Sequence, residues 1–258
     1  MPALDHVVIN TLRNMDAASD VFTALGFTLT PRGYHTLGSI NHLMMTPGAY
    51  LELVGVPETG LQRQDVLDSP FGLNGLVIRT DDPDADYARL TGQGFPAMPP
   101  SEFSRPVTID GQTQDARFRT VRFPLDTFAG GRVYFCQHLT PELVWRDEWL
   151  GHPNGFCGID RFMIESPDAM QAAAIYASAF DSRSGPTAAG WQVPLDDAEI
   201  ALVDGPAPLF ASVELVFASL DEIERRALAL HGVAWERQGS SALLVVPAFD
   251  LKLTCRSL

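Results

Sequence analysis

The segment Leu4-Asp5-His6-Val7-Val8-Ile9-Asn10-Thr11 opens a pattern that the rest of the chain repeats. Its centre, Val7 to Ile9, is β-branched and short, and polar residues lie on both sides of it, which predicts a strand with little exposed surface. A histidine stands at the entrance of this strand. A single histidine in such a position is more often structural than a ligand, so the role of His6 depends on how the rest of the chain repeats the pattern.

An amphipathic helix and three further strands follow the first strand. Apolar residues recur at helical spacing between positions 18 and 25, and Gly26 is placed to end the helix. Proline and glycine turns then separate three strand-like runs. These runs are residues 27–30, 41–45 and 49–54. The first unit is therefore predicted to be βαβββ.

The same pattern returns three times along the chain. Further strand openings are found near Gly75, Ile159 and Ser212, each followed by a helix whose end lies roughly 20 residues beyond the opening. Within the second unit, the proline-rich stretch 96–106 predicts a loop. Four imperfect copies of one supersecondary unit are the simplest interpretation.

The repeat predicts an α+β protein. One βαβββ unit cannot bury both faces of its sheet and helix, so units are expected to pair, and their curved mixed sheets would enclose a cup. Four modules then give two halves. The composition turns to glycine, proline and asparagine near the middle of the chain, which places the predicted halves at residues 1–150 and 151–258.

Composition excludes several classes of function. A net charge of −14 over 258 residues disfavours nucleic acid and anionic membranes as partners, because both need a basic face. No apolar run approaches the roughly 20 residues of a membrane span, and no secretory signal is evident, so a cytoplasmic location is expected. The three scattered cysteines argue against a disulfide framework.

Several of these sequence features together resemble a known family. The four tandem units, the Leu-Asp-His-Val-Val opening and the strand Tyr50-Leu51-Glu52-Leu53 resemble the vicinal oxygen chelate superfamily, which includes glyoxalase I, the extradiol dioxygenases and the bleomycin resistance proteins. Two further tracts, Pro31-Arg32-Gly33-Tyr34-His35 and residues 136–155, are similar to the glyoxalase-like domain proteins within that superfamily.

The resemblance implies a divalent metal held by a histidine on the first strand of a unit and a glutamate on the last strand. His6 and Glu52 occupy these positions in the first unit. The histidine position becomes Gly75, Arg161 and Glu214 in the later units, and the glutamate position becomes roughly Cys136, Ala201 and Lys252. Only the first unit carries two conventional ligands, so a metal-free second half is expected.

A third ligand is available on the strand that holds Cys136. Side chains two apart on a strand share a face, so His138 is expected to point into the same cup. His6, Glu52 and His138 would then form a two-histidine, one-carboxylate set with open coordination positions, compatible with Fe, Mn, Zn or Ni. The alternative is that His138 only satisfies neighbouring polar groups where the halves meet.

Several polar residues are candidates for catalysis and substrate binding. His35 and Glu52 are the candidate catalytic groups, since a histidine titrates near neutral pH, and Arg32, Asn41 and Gln137 are candidate substrate-binding residues. A solvated polar turn is the alternative for His35. Arg117, Arg119 and Arg122 are interpreted as solvated strand charges, with a clamp for a carboxylate or phosphate as the alternative.

These residues favour a metal-dependent lyase, isomerase or dioxygenase that acts on a small organic substrate with vicinal oxygens. The alternative is a metal-free protein that binds and sequesters a small molecule, as the bleomycin resistance branch does. A small-molecule ligand is expected in both cases, and a homodimer is possible because paired units complete a cup either within a chain or between two chains.

Overall fold

The computed structural model describes residues 1–258 and contains two eight-stranded mixed sheets with helices packed on them. The strands are β1 Leu4–Leu12, β2 Gly33–Tyr34, β3 Ile40–Met44, β4 Tyr50–Gly55, β5 Gly72–Arg79, β6 Ser101–Ile109, β7 Gln112–Arg122, β8 Arg132–His138, β9 Phe156–Ser166, β10 Gly185–Pro186, β11 Trp191–Pro194, β12 Glu199–Asp204, β13 Leu209–Phe217, β14 Ala234–Gln238, β15 Ser241–Val246 and β16 Leu251–Ser257. The helices are α1 Met15–Ala24, α2 Gln64–Leu67, α3 Pro83–Gly92, α4 Asp147–Leu150, α5 Ala169–Ala179 and α6 Asp221–Ala229. None of these helices is both long and apolar enough to cross a membrane.

Each sheet is built from two βαβββ units that meet at their first strands. The order is β2-β3-β4-β1-β5-β8-β7-β6 in the first sheet and β10-β11-β12-β9-β13-β16-β15-β14 in the second. The first strands of paired units, β1 with β5 and β9 with β13, run antiparallel at the centre. The predicted fold class, four βαβββ modules in two halves that form curved mixed sheets, is confirmed.

Strand β1 is the centre of the first sheet and is buried on both faces. It pairs in parallel with β4 and antiparallel with β5. Val7 and Ile9 belong to the large apolar core that includes helix α1, whereas Val8 belongs to a smaller apolar cluster on the opposite, concave face. This alternation follows from the period of two along a strand, and it puts His6 on the concave face together with Val8.

A β-bulge at the start of β1 alters this alternation. Leu4 pairs with Ile78 and His6 pairs with the adjacent residue Val77, so Asp5 is an extra residue in β1. A bulge locally re-aims side chains. The carboxylate of Asp5 is therefore able to reach the imidazole of His6, although consecutive side chains of a regular strand point to opposite faces.

The two halves share one apolar core. The core cluster of 50 buried residues includes strands of both sheets and helices of both halves. At the junction the ring of Phe27 lies 5.3 Å from that of Phe156 and 6.2 Å from that of Phe217, measured between centroids. The halves are therefore packed together through aromatic contacts and not only joined by the chain.

Two local expectations were wrong. Residues 27–30 do not form a strand, and the second strand of the first unit is the two-residue β2. The proline-rich stretch 96–106 is a loop only in its first part, because β6 begins at Ser101. Strand β6 lies at the edge of the sheet, where Pro106 does not have to donate a ladder hydrogen bond.

Replacing Phe217 with alanine should destabilise both halves together. Its side chain is fully buried at the junction, and removing such an aromatic ring costs about 3–5 kcal/mol. Urea unfolding followed by circular dichroism and by tryptophan fluorescence should give coincident transitions at lower urea. Leu228→Ala, at an exposed position, is the control and should leave the midpoint almost unchanged. Two separate transitions would contradict a shared core.

Candidate functional site

The concave face of the first sheet encloses a cavity lined by strands from both of its units. The cavity comprises about 520 Å³ of empty space, including its solvent-open mouth. His6 from β1, Glu52 from β4 and Tyr134 from β8 lie in its wall. One side is apolar, with the rings of Phe103 and Phe118 stacked 5.1 Å apart. Arginine side chains from several elements complete the lining.

His6 is held between two carboxylates. Its Nδ1 lies 2.6 Å from Oδ2 of Asp5, and its Nε2 lies 3.4 Å from Oε2 of Glu52 and 3.1 Å from the hydroxyl of Tyr134. The imidazole ring also stacks on Tyr50 with centroids 4.7 Å apart. Both nitrogens and one ring face are therefore in contact with protein groups, and the side chain has a single orientation.

Glu52 is oriented by Asn41. The amide nitrogen of Asn41 donates to Oε1 of Glu52 at 2.7 Å, and it lies 3.4 Å from Nε2 of His35. Nδ1 of His35 in turn lies 2.8 Å from the hydroxyl of Ser39. With Oε1 bound by Asn41, the other oxygen of Glu52 is directed at His6.

Burial and charge shift the pKa values of these groups in opposite directions. Burial works against a charge on His6, but hydrogen bonds to Asp5 and Glu52 outweigh it and raise the pKa of His6 to about 9. The pKa of Glu52 is lowered to about 2 because hydrogen bonding and charge from His6 exceed the effect of burial. Burial lowers the pKa of His35 to about 3, so that this imidazole is neutral.

Strand register shows that Tyr134 occupies, in the second unit, the position that Glu52 occupies in the first. Val8, two residues after His6, pairs with Glu52 in β4. Val77, two residues after Gly75, pairs with Tyr134 in β8. If His6 corresponds to Gly75, the counterpart of Glu52 is thus Tyr134 and not Cys136, and the hydroxyl of Tyr134 contacts Nε2 of His6, the nitrogen that also faces Glu52.

Of the residues predicted from the sequence, His6, His35, Asn41 and Glu52 line one cavity. His138 does not line it. Its Nε2 lies 3.0 Å from Oδ2 of Asp5, and its ring packs 4.7 Å from Trp145. Asp5, which was not predicted as a site residue, thus joins His6 and His138 in a cluster of potential ligand atoms.

Arg32 and Gln137 lie outside the cavity. Arg32 pairs with Asp16 on helix α1 at 2.6 Å and contacts His42. Gln137 donates to the backbone carbonyl of Asp81 at 2.6 Å. It follows Cys136 along β8, and Cys136 itself lines the cavity, so Gln137 points to the other face of the strand.

The cavity contains four arginines that could not be predicted from the sequence to lie together. They are Arg63, Arg105, Arg122 and Arg132. Arg105 follows two residues after Phe103 and precedes Val107 by two, and this alternation within β6 was the available signal. Arg117 and Arg119 are surface charges, paired with Glu102 and Asp84, whereas Arg122 faces the cavity.

The corresponding positions of the second half carry ion pairs. Arg161, at the position of His6, pairs with Glu199. Glu214 lies 4.0 Å from Arg161 and 3.9 Å from Arg256. Glu214 and Lys252, which take the histidine and glutamate positions of the fourth unit, do not pair with each other, because the register sets Glu214 opposite Thr254 and Lys252 is exposed.

This architecture defines a class of protein. Four βαβββ units in two halves, with a histidine and a glutamate inside a cup, are features of the vicinal oxygen chelate superfamily. The family model described as the glyoxalase-like domain matches residues 4–180. The chain belongs to this glyoxalase-like domain family. A comparison with curated proteins gives no match.

Solved structures share the fold over the full chain. A hypothetical protein from Staphylococcus aureus matches with a TM-score of 0.71 at 15% identity, covering 100% of both chains. A mutant of 4-hydroxymandelate synthase from Streptomyces coelicolor has a TM-score of 0.59 at 15% identity, covering 100% of this chain and 93% of the other. The Mn(II)-bound glyoxalase from Novosphingobium aromaticivorans has a TM-score of 0.59 at 14% identity, covering 100% and 83%.

The neutral state of the half-buried His35 predicts a pH dependence of stability. The pKa of His35 falls from its ordinary value of 6.5 to about 3 on folding, so below pH 6.5 the unfolded chain binds a proton that the folded chain does not. The free energy of unfolding of wild type should therefore fall with decreasing pH, relative to His35→Asn, by about 1 kcal/mol per pH unit.

Urea unfolding of both proteins between pH 7 and pH 5 measures this difference. His231→Asn, which removes an exposed histidine, is the matched control. A nitrogen-15 spectrum in which the His35 ring of the folded protein takes up a proton near pH 6.5 would contradict the prediction.

Proposed function

We propose that the cavity of the first half is the active site of an enzyme that binds a divalent metal between His6 and Glu52 and acts on a small organic substrate with vicinal oxygens. The observation that carries the proposal is the pair formed by Nε2 of His6 and Oε2 of Glu52, 3.4 Å apart in the cavity wall. Residues 1–150 form the half that holds this site, and residues 151–258 support it.

The residues present fit a metal ion at this pair. Asp5 accepts a hydrogen bond from Nδ1 of His6, the arrangement that orients histidine ligands and raises their basicity. Asn41 occupies one oxygen of Glu52 and leaves the other for an ion. The hydroxyl of Tyr134, 3.1 Å from Nε2 of His6, offers a further oxygen ligand for the ion.

The second cluster, formed by Asp5, His6 and His138, suits an ion less well. Its nitrogen to oxygen distances of 2.6 and 3.0 Å are those of hydrogen bonds. Asp5 is fully buried and is not part of the cavity lining, so a metal there would not meet a substrate. The predicted ligand set with His138 is therefore replaced in this proposal by His6, Glu52 and Tyr134.

A bound divalent ion supplies Lewis-acid polarisation of the substrate oxygens. The protein's own residues orient the substrate and exclude water. Phe103 and Phe118 exclude water from one side of the cavity. His35 is uncharged at neutral pH, which suits hydrogen bonding to substrate, while the low pKa of Glu52 keeps its carboxylate ionised, which suits holding a cation.

A metal-free binding protein is the second candidate. A doubly protonated His6 between Asp5 and Glu52 satisfies the same carboxylates without an ion, as its pKa of about 9 indicates. In that case the cavity would bind its ligand equally well before and after treatment with EDTA. Ligand binding that is lost on chelation and restored by a divalent ion would count against this candidate.

The proposed site predicts which substitutions weaken metal binding. After removal of bound metals, calorimetric titration with Mn²⁺ and with Zn²⁺ should show strongly reduced affinity for His6→Asn and Glu52→Gln, because each removes a ligand. Asp5→Asn should reduce affinity roughly 10- to 100-fold, the usual effect of losing the group that orients a histidine ligand.

His138→Asn and His42→Asn complete the series. His42→Asn, which removes a histidine outside the cavity, should leave the affinity unchanged, and His138→Asn should have a small effect through Asp5. If His138→Asn abolishes binding while Glu52→Gln retains it, the ion is bound by the Asp5, His6 and His138 cluster and the proposed site is wrong.

A further inference from the structure

The cavity is positively charged although the chain as a whole is strongly acidic. Four guanidinium groups line it, those of Arg63, Arg105, Arg122 and Arg132, whereas the net charge of the chain is −14. Glu52 is the only carboxylate in the lining. A cavity with this charge attracts anions by its local field, whatever the sign of the outer surface.

Three of the four arginines have partners within the protein. Arg63 makes a bidentate pair with Asp65. Arg132 donates to the side-chain oxygen of Asn74 at 2.6 Å, and its Nη1 lies 3.9 Å from Asp65. Arg122 donates from Nε to the hydroxyl of Thr120 and from Nη2 to that of Ser101. These contacts fix the side chains and leave a charge excess in the cavity.

Arg105 is different because neither its Nε nor its Nη2 has an acceptor, whereas Arg132 lacks an acceptor only at Nη2. Only 2% of the residue is exposed, and its Nε and Nη2 have no hydrogen-bond partner. Asn41 and Arg105 lie close over Gly33, since a β-carbon at Gly33 would come within 2.7 Å of Cδ of Arg105. A buried guanidinium without a partner is strongly destabilising, and such groups in native proteins call for a functional explanation.

The two unpartnered donors lie on the same edge of the guanidinium group. Nε–H and one N–H of Nη2 point in parallel, which matches the two oxygens of a carboxylate or phosphate. We propose that this edge of Arg105 binds an oxyanion group of the substrate, so that the cavity takes small organic anions. The stacked rings of Phe103 and Phe118 in the same cavity would contact the apolar part of such a molecule.

This inference rests on the proposed function in one respect: the reacting end of the substrate would lie at His6 and Glu52. The anion contact itself needs no metal. Binding of simple anions to metal-free protein therefore tests Arg105 separately from the metal site.

The experiment measures binding of malonate, inorganic phosphate and the neutral analogue malonamide to EDTA-treated protein by calorimetry and by thermal shift at fixed low ionic strength. Malonate or phosphate should bind wild type and raise its Tm, and malonamide should do neither. Loss of a bidentate, charge-assisted contact in Arg105→Met should weaken anion binding roughly 10- to 100-fold. The preference between malonate and phosphate distinguishes a carboxylate from a phosphate substrate.

The Tm without anion separates a binding role from a structural one. Arg105→Met removes an unpaired buried charge, so its Tm should equal or exceed that of wild type. Arg117→Met is the matched control, because Arg117 lies next to the strand partner of Arg105 but is exposed and paired with Glu102. It should bind anions as wild type does. Arg105→Lys keeps the charge without the two-pronged edge and should bind more weakly than wild type while remaining folded.

Three results would overturn the proposal. The first is that neither malonate nor phosphate binds wild type. The second is that Arg105→Met binds these anions with an affinity within twofold of that of wild type. The third is that Arg105→Met or Arg105→Lys unfolds at a lower Tm than wild type, which would make Arg105 a structural residue. None of these results depends on whether His6 and Glu52 hold a metal.

Discussion

The site depends on the contact between Asp5 and His6, two neighbours in the chain whose side chains meet because of a β-bulge. The extra residue in β1 brings the carboxylate within 2.6 Å of the imidazole. Asp5 is fully buried, and the charge of His138 and hydrogen bonds to both imidazoles hold the pKa of its carboxyl well below the usual range despite burial. The orientation of His6 towards Glu52 follows from this contact.

The two faces of the first sheet have separate roles. The helix-side face belongs to the large core that joins both halves, and its apolar packing holds β1 in place. The concave face can then carry polar groups, because its backbone is already fixed by strands on either side. In the second half the same positions are occupied by the pairs Arg161–Glu199 and Arg256–Asp160, in which protein charges neutralise each other.

The cavity and the outer surface of the protein carry charge of opposite sign. The acidic residues that dominate the composition lie mostly on the outside, in pairs such as Arg119 with Asp84, and such exposed pairs add little stability. Inside, Arg105 is buried and its Nε and Nη2 have no hydrogen-bond partner. Net charge therefore bears only on partners that meet the outer surface and says nothing about a small ligand, which interacts with the local field of the cavity.

The four βαβββ units could be predicted from the sequence, because strand and helix periodicity and repeat spacing are local properties. The pair His6 and Glu52 was implied by the resemblance to the superfamily, and the remaining contacts of the site are visible only in the folded chain. His138 lies outside the cavity and contacts Asp5, whose position is set by the bulge in β1. Arg105 was not predicted as a site residue because the proline-rich stretch that contains it was predicted to be a loop. Proline is tolerated in a strand at the edge of a sheet, and which strand lies at the edge depends on strands distant in sequence. Which side chains meet across a cup is set by register between strands, and register is not written in any single segment.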